Sequence, residues 1–333
     1  MNFKKMMQPV KRDSLFTKDG LNIWCGSIVR YRNEFYMLYS EWDKSSGDLD
    51  DWGWCMAGRI GVARSSAVDG PYEDCGIVFA GAGGTAWDAA AVHNPCCLCF
   101  DGRYYMYYMG ACGCPEDRSP FAYWKTKQIG VAVADHPLGP WERADAPILR
   151  SEEGTWTQTL VSNPAVCMRP DGRFLMVYKG AGPCRDNDYT TCLFTCGVAL
   201  AESPVGPFKK IGGPQFLVPG ELWSVEDPCI WYDKTDRRFY CVIKEFHGYY
   251  NRTGKQSNSL FESEDGMIWK PSKQPLAYSL ELEWEDHVVE SVENLERPMV
   301  YCEEGIPLAM CSACRLRDGT RGNVQFRLDR HKA

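Results

Sequence analysis

Apolar and polar positions alternate along most of this chain in short runs, and Gly, Pro, Asp and Asn punctuate them. That period of two marks half-buried strands, and few stretches carry the 3.6-residue period of an amphipathic helix. The strands fall into three phrases that recur in the same order, the mark of a repeat architecture. The first opens on a small polar or acidic residue and proline: "HNPCCLCF" from His93, "SNPAVCMR" from Ser162, "EDPCIWYD" from Glu226 and "ERPMVYCE" from Glu296. "CGSIVRYR" from Cys25 fits the slot without the proline. The second phrase is a tight turn into an aromatic strand, as in "DGRYYMYYMG" and "DGRFLMVYKG", where Asp-Gly supplies the positive φ of a hairpin. The third is a strand running into a turn, as in "IGVAVADHPLGPW" and "CGVALAESPVGPF".

Gly61, Gly130 and Gly197 open the third phrase at spacings of 69 and 67 residues, so five units account for the chain. A unit of three or four strands cannot bury its faces alone. Repeated five times, it predicts an all-β fold, a five-bladed β-propeller of four-stranded antiparallel blades. The blades are expected at roughly 19–80, 87–150, 156–218, 223–278 and 284–330 of a single domain spanning 1–333. Two packed sandwiches are the competing architecture, but no linker composition interrupts the phrases.

The first strand of each blade lies innermost, so residues just ahead of these strands converge. Asp19, Asn22, Asn94, Asn163, Asp227 and Arg297 are therefore expected to ring one end of the channel and form a polar pocket.

Composition narrows the partners. A net charge of −7 and a pI near 5.4 argue against nucleic acid, which needs a basic face to displace counterions. The N-terminal stretch lacks the apolar run of a secretory signal, and no segment reaches the roughly 18 apolar residues of a membrane helix. A soluble, cytoplasmic protein with no membrane partner is expected; oligomeric state is not readable. The 17 cysteines are expected to stay reduced and to pack as small hydrophobes. "CSAC" at Cys311–Cys314 has metal-type spacing, but no second pair stands near, so packing is expected there too.

Inner strands that start with acids, together with Gly-Pro-aromatic after the third strand, resemble the five-bladed glycoside hydrolases. "VEDPCIWYD", "SEDGMIW" and "LERPMVY" are most similar to the family 43-like and family 117-like branch. The resemblance implies an oligosaccharide substrate cut at a terminal sugar. It also implies an inverting mechanism with an aspartate base on the first blade, a second aspartate that tunes pKa and a later acid. Carried onto this sequence, the base falls on Asp19, with Glu41 and Asp43 as fallbacks, and the tuning carboxylate falls on Asp227. Blades two and three hold asparagine at the Asp227 slot, so charge there is not demanded by the repeat.

The acid stays open among His247, His287, Glu226 and Glu245, with His247 preferred because an imidazole donates a proton near neutral pH. Asn163 occupies the slot where a family 43 glutamate is expected. Trp24, His93, Asn94, Asn163, Lys179, Glu226, Lys244, Glu245, His287 and Arg297 are the expected substrate-binding set. Lys179, Lys244 and Arg297 would suit an acidic sugar or balance the acidic ring. Trp87 and Trp156, each seven residues before an asparagine, read as packing between blades, and Trp223 stands at the matching place in blade four. No cofactor is expected; some relatives hold a central metal or water, for which His93 is the candidate neighbour. A non-catalytic sugar-binding propeller and a glycoside phosphorylase are the rival readings.

Overall fold

A computed structural model describes residues 1–44, 52–114 and 116–333. Five antiparallel sheets follow one another along the chain. Blade one is β1 (Leu21–Tyr31), β2 (Glu34–Asp43), β3 (Arg59–Ser65) and β4 (Glu73–Phe79). Blade two is β5 (Ala91–Phe100), β6 (Arg103–Ala111), β7 (Gln128–Ala134) and β8 (Glu142–Arg143); blade three is β9 (Leu160–Met168), β10 (Phe174–Ala181), β11 (Phe194–Ala201) and β12 (Lys209–Gln215). Blade four is β13 (Val225–Asp233), β14 (Arg238–Glu245), β15 (Ser257–Ser263) and β16 (Lys270–Tyr278). After a hairpin of β17 (Glu281–Glu283) and β18 (Val289–Ser291), the last blade holds β19 (Asn294–Glu303), β20 (Ile306–Arg315) and β21 (Arg321–Arg327).

The N-terminal segment completes that last blade. Met7 bridges Leu328 and Phe16 bridges Asn323, with Phe16 N donating to the Asn323 carbonyl at 2.8 Å. The chain's start thus pairs with its end, and the sheet that lacks a fourth long strand gains an edge.

Each interface between blades has its own apolar cluster. Val62 and Phe79 of blade one meet Met106 and Tyr108 of blade two, and Tyr107 and Val131 of blade two meet Met176 and Tyr178 of blade three. Val177 and Val198 meet Ile230 and Ile243, Trp231 and Tyr240 meet Met310 and Val324, and Cys311 and Ala309 meet Ile28 and Met37. Fully burying one such side chain is worth about 1.5–3 kcal/mol, so the five seams carry most of the apolar stabilisation.

The glycine that opens the third phrase now has a physical reason. Gly61, Gly130 and Gly197 lie opposite Tyr39, Tyr108 and Tyr178 on the neighbouring strand. A Cβ on them would stand 2.5, 2.9 and 3.2 Å from those side chains. Trp87 and Trp156 stack on Tyr108 and Tyr178 at 5.7 and 5.8 Å between centroids, over the same glycines. They are packing residues.

One pair of cysteines departs from the expectation of free thiols: Cys184 and Cys192 are disulfide-bonded. The remaining fifteen are free, and Cys311 and Cys314 pack in the core between strands. No helix among the described residues is long and apolar enough to cross a membrane.

Candidate functional site

All five inner strands break register at the same place. The ladder slips between Trp24 and Ser27, His93 and Cys96, Glu226 and Cys229, and Glu296 and Met299, and opposite Asn163 in blade three. Such a bulge adds one residue and turns a side chain out of the sheet's alternation. The extra residue has positive φ in every blade: Cys25 (56°), Asn94 (56°), Asn163 (53°), Asp227 (58°) and Arg297 (56°). Asn and Asp tolerate this region; for Cys and Arg it is uncommon and must be held by surrounding contacts.

Those contacts form a closed ring. The Cys25 thiol donates to Asn94 Oδ1 at 2.8 Å, Asn94 Nδ2 to Asn163 Oδ1 at 2.8 Å, and Asn163 Nδ2 to Asp227 Oδ1 at 2.6 Å. Arg297 closes it, donating through Nη1 to Asp227 and through Nε to Cys25 Sγ at 3.1 Å. Burial, then Glu226 and Glu296, push the Asp227 carboxyl up to about 6 against the pull of Arg297, so the pair is ionised at neutral pH. Burial pushes the Cys25 thiol up to about 12, so it serves as a neutral donor. The ring does not suit a cation: its single carboxylate is already matched by a guanidinium within the same circle. No cluster of three His, Cys, Asp or Glu side chains among the described residues is set for a metal.

Above the ring lies a cavity of about 520 Å³, in the range of small-ligand sites. Below it, the same five residues and the following prolines line a void of about 10 Å³. The ring is the floor of the site.

The residue before each bulge also faces the cavity: Trp24, His93, Glu226 and Glu296. Glu226 accepts from Lys179 at 2.7 Å and from Lys244 at 2.9 Å, and Lys244 donates to Glu296 at 2.5 Å. Burial alone would raise the Glu226 carboxyl, but the two ammoniums hold it well below the usual carboxylate range. Lys244, although buried, is raised above its ordinary value by Glu226 and Glu296. Since the two carboxylate oxygens touch one nitrogen, they stand no further apart than its two hydrogen bonds laid end to end. That lies within the roughly 5.5 Å of a retaining glycosidase pair and short of the roughly 6.5–9.5 Å of an inverting pair.

Of the expected site residues, Trp24, His93, Asn94, Asn163, Lys179, Glu226, Asp227, Lys244 and Arg297 line this cavity. Four do not. Asp19 sits on an exposed turn ahead of β1, and the blade-one place in the ring belongs to Cys25; Asn22 is buried in the strand outside the lining. His247 hangs on the loop after β14, its Nε2 2.8 Å from the Trp223 carbonyl and 3.5 Å from Glu221. His287 is 81% exposed in a hairpin turn, 3.5 Å from Glu283. Glu245 is buried beneath that blade-four loop, accepting from Tyr250 N at 2.7 Å and Ser259 Oγ at 2.5 Å, so it braces the loop. The fallbacks are also committed: Glu41 is buried between Lys18 and Arg59, and Asp43 pairs with Arg59.

Sequence reasoning missed Glu296 as a site residue, although it opens "ERP" in the slot Glu226 occupies in "EDP". It also missed Trp42, Trp54, Lys127, Tyr189, Asn294, Arg315 and Arg321. Trp54 belongs to α2 (Gly53–Ala57), Lys127 follows α3 (Pro120–Trp124), and Tyr189 sits between the bonded cysteines; these connections do not repeat.

No protein-family model and no curated protein sequence matches the chain. Solved structures do. BT0996, solved in a complex with RGII, superposes with a TM-score of 0.70 at 16% identity, over 97% of this chain and 92% of that one. Zg3597, a family 117 glycoside hydrolase of the marine bacterium Zobellia galactanivorans, gives 0.64 at 16% over 98% and 91%. The endo-arabinase of Bacteroides thetaiotaomicron gives 0.59 at 13% over 97% and 98%. At these identities the likeness is one of fold: the chain is a five-bladed β-propeller with the architecture of family 117 and family 43 glycoside hydrolases.

Proposed function

We propose that the protein is a glycoside hydrolase that releases a terminal sugar from an oligosaccharide in the central cavity, with Glu226 and Glu296 as the working pair. The observation that carries this reading is the pair's shared contact with Lys244 on the cavity wall. The shared fold supports the reaction class. Glu226, fixed by two ammoniums, is the carboxylate that stays ionised and attacks the anomeric carbon. Glu296, with one, carries the proton to the leaving oxygen and then takes a proton from the water that releases the sugar. Asp227 keeps a positioning role beneath them through Arg297 and Asn163. The mechanism is retaining, in place of the inverting scheme the family resemblance implies.

The test is a panel of chromogenic glycosides and oligosaccharides with product anomers followed by NMR. Retention of configuration is expected. With azide, Glu226→Ala should yield a glycosyl azide of inverted configuration and Glu296→Ala one of retained configuration. Inverted product from the wild type would remove the assignment.

One observation favours the non-catalytic sugar binder: the blade-one slot of the ring is the neutral Cys25, where a carboxylate is expected. Tight calorimetric binding across the panel with no release of sugar would decide for it.

A further inference from the structure

Six basic side chains and three acidic ones line the cavity, in a chain whose net charge is −7. The excess is not spread evenly. Lys179 and Lys244 are spent on Glu226 and Glu296, Arg297 on Asp227, and Arg315 meets Glu293 at 2.8 Å. Lys127 is different. Its residue is 1% exposed, yet no carboxylate among the described residues pairs with it. Its ammonium lies 4.5 Å from the centre of the Trp54 ring and 5.1 Å from that of Trp124. Two indole faces offset part of a desolvated cation's cost but accept none of its three hydrogen bonds.

A second polar group stands unused across the same indole. The His93 ring centre is 5.5 Å from Trp54 and 5.4 Å from Trp42, and its Nδ1 is buried with no hydrogen-bond partner. Burial, Arg297 and Lys127 hold His93 well below its ordinary value, so the imidazole is neutral and offers Nδ1 as donor or acceptor by tautomer. An unsatisfied buried polar atom costs about 1–3 kcal/mol, and two flanking one ring in a ligand-sized cavity point to a ligand. Carboxylate or sulfate oxygens would meet the ammonium, and the Trp42 and Trp54 faces would exclude water from the contact.

We infer that Lys127 and His93 form a subsite for an anionic oxygen group carried by the sugar, the carboxylate of a uronic acid or a sulfate ester, at the Trp54 side of the cavity. The inference rests on the reading of the cavity as a sugar site. It adds the substrate class: an acidic sugar next to the scissile bond.

Calorimetry on the full chain tests it with uronic-acid-terminated oligosaccharides, their carboxyl-reduced neutral counterparts, sulfated sugars and inorganic phosphate. The wild type should bind at least one acidic sugar about tenfold or more tighter than its neutral counterpart. Lys127→Met should erase that preference, Lys127→Arg should restore part of it, and His93→Gln should weaken acidic ligands; thermal melts of each variant confirm folding. No preference in the wild type, or a preference that survives in Lys127→Met, overturns the inference. So does inorganic phosphate that binds at Lys127 and is required for turnover, which would make the subsite that of a phosphorylase. Preference intact without hydrolysis would overturn the hydrolase reading and leave the subsite standing.

Discussion

Replacing Asp227 by Asn keeps the size of the side chain and one acceptor oxygen for Asn163, but deletes the only carboxylate of the ring. Arg297, whose side chain is 10% exposed and cannot deprotonate, is then left buried without its closest counterion. Removing one partner of a buried pair costs about 3–5 kcal/mol, and the retained oxygen places this variant near the lower end, about 3 kcal/mol. With an unfolding entropy of about 2.1 cal/mol/K per residue, 333 residues give roughly 0.7 kcal/mol/K, so Tm should fall by about 4 °C. Adding Arg297→Gln returns the ring to neutral amides, as blades two and three already have, and should recover most of the loss. Differential scanning calorimetry of the wild type, both single variants and the double variant gives the coupling. Additive losses in the double variant, or an Asp227→Asn protein as stable as wild type, would show that the charges do not hold the ring.

Other consequences are as direct. Gly130→Ala drives a Cβ to 2.6 Å from the Trp87 ring and should cost about 1–3 kcal/mol, whereas Gly213→Ala, with open space around it, should melt like wild type. Cys184→Ser with Cys192→Ser opens an eight-residue separation and should cost about 2–3 kcal/mol, with weaker ligand binding because Tyr189 lies between them on the cavity wall. Burial, then Lys179 and Arg297, lower Lys127 well below 10.5 against the pull of Cys55 and Glu226. The unfolded chain therefore binds more protons, and wild-type stability rises with pH up to about 10.5. Lys127→Met should accordingly stabilise the unliganded protein, with the gain in chemical denaturation largest at low pH and shrinking toward pH 10.5.

The architecture was legible because a propeller repeats its physics. Each inner strand needs a bulge, and proline after the bulge residue marks it in four blades, so Asn94, Asn163, Asp227 and Arg297 stand out along the chain. Blade one has Gly26 in place of proline, and without that marker the register slips: the sequence pattern points to Asp19, six residues before the true slot at Cys25. His247 and His287 have the imidazole chemistry an acid needs, but loop geometry places them away from the axis. Lys127, Trp54 and Tyr189 were out of reach for a different reason. They come from connections whose path is set by packing against each other, not by the repeat.

The floor of the cavity also bears on how the molecule comes apart. Open arrays of repeats can fray from either end, because an end unit has one neighbour. Here every unit holds a hydrogen bond to the unit on each side through one five-membered circle, and the first and last are joined again by the N-terminal segment. Loss of any single unit would break two bonds of the circle and strand a buried charge or amide. Local opening is thereby coupled to global opening, and the innermost amides of all five units should exchange with solvent together, in one event.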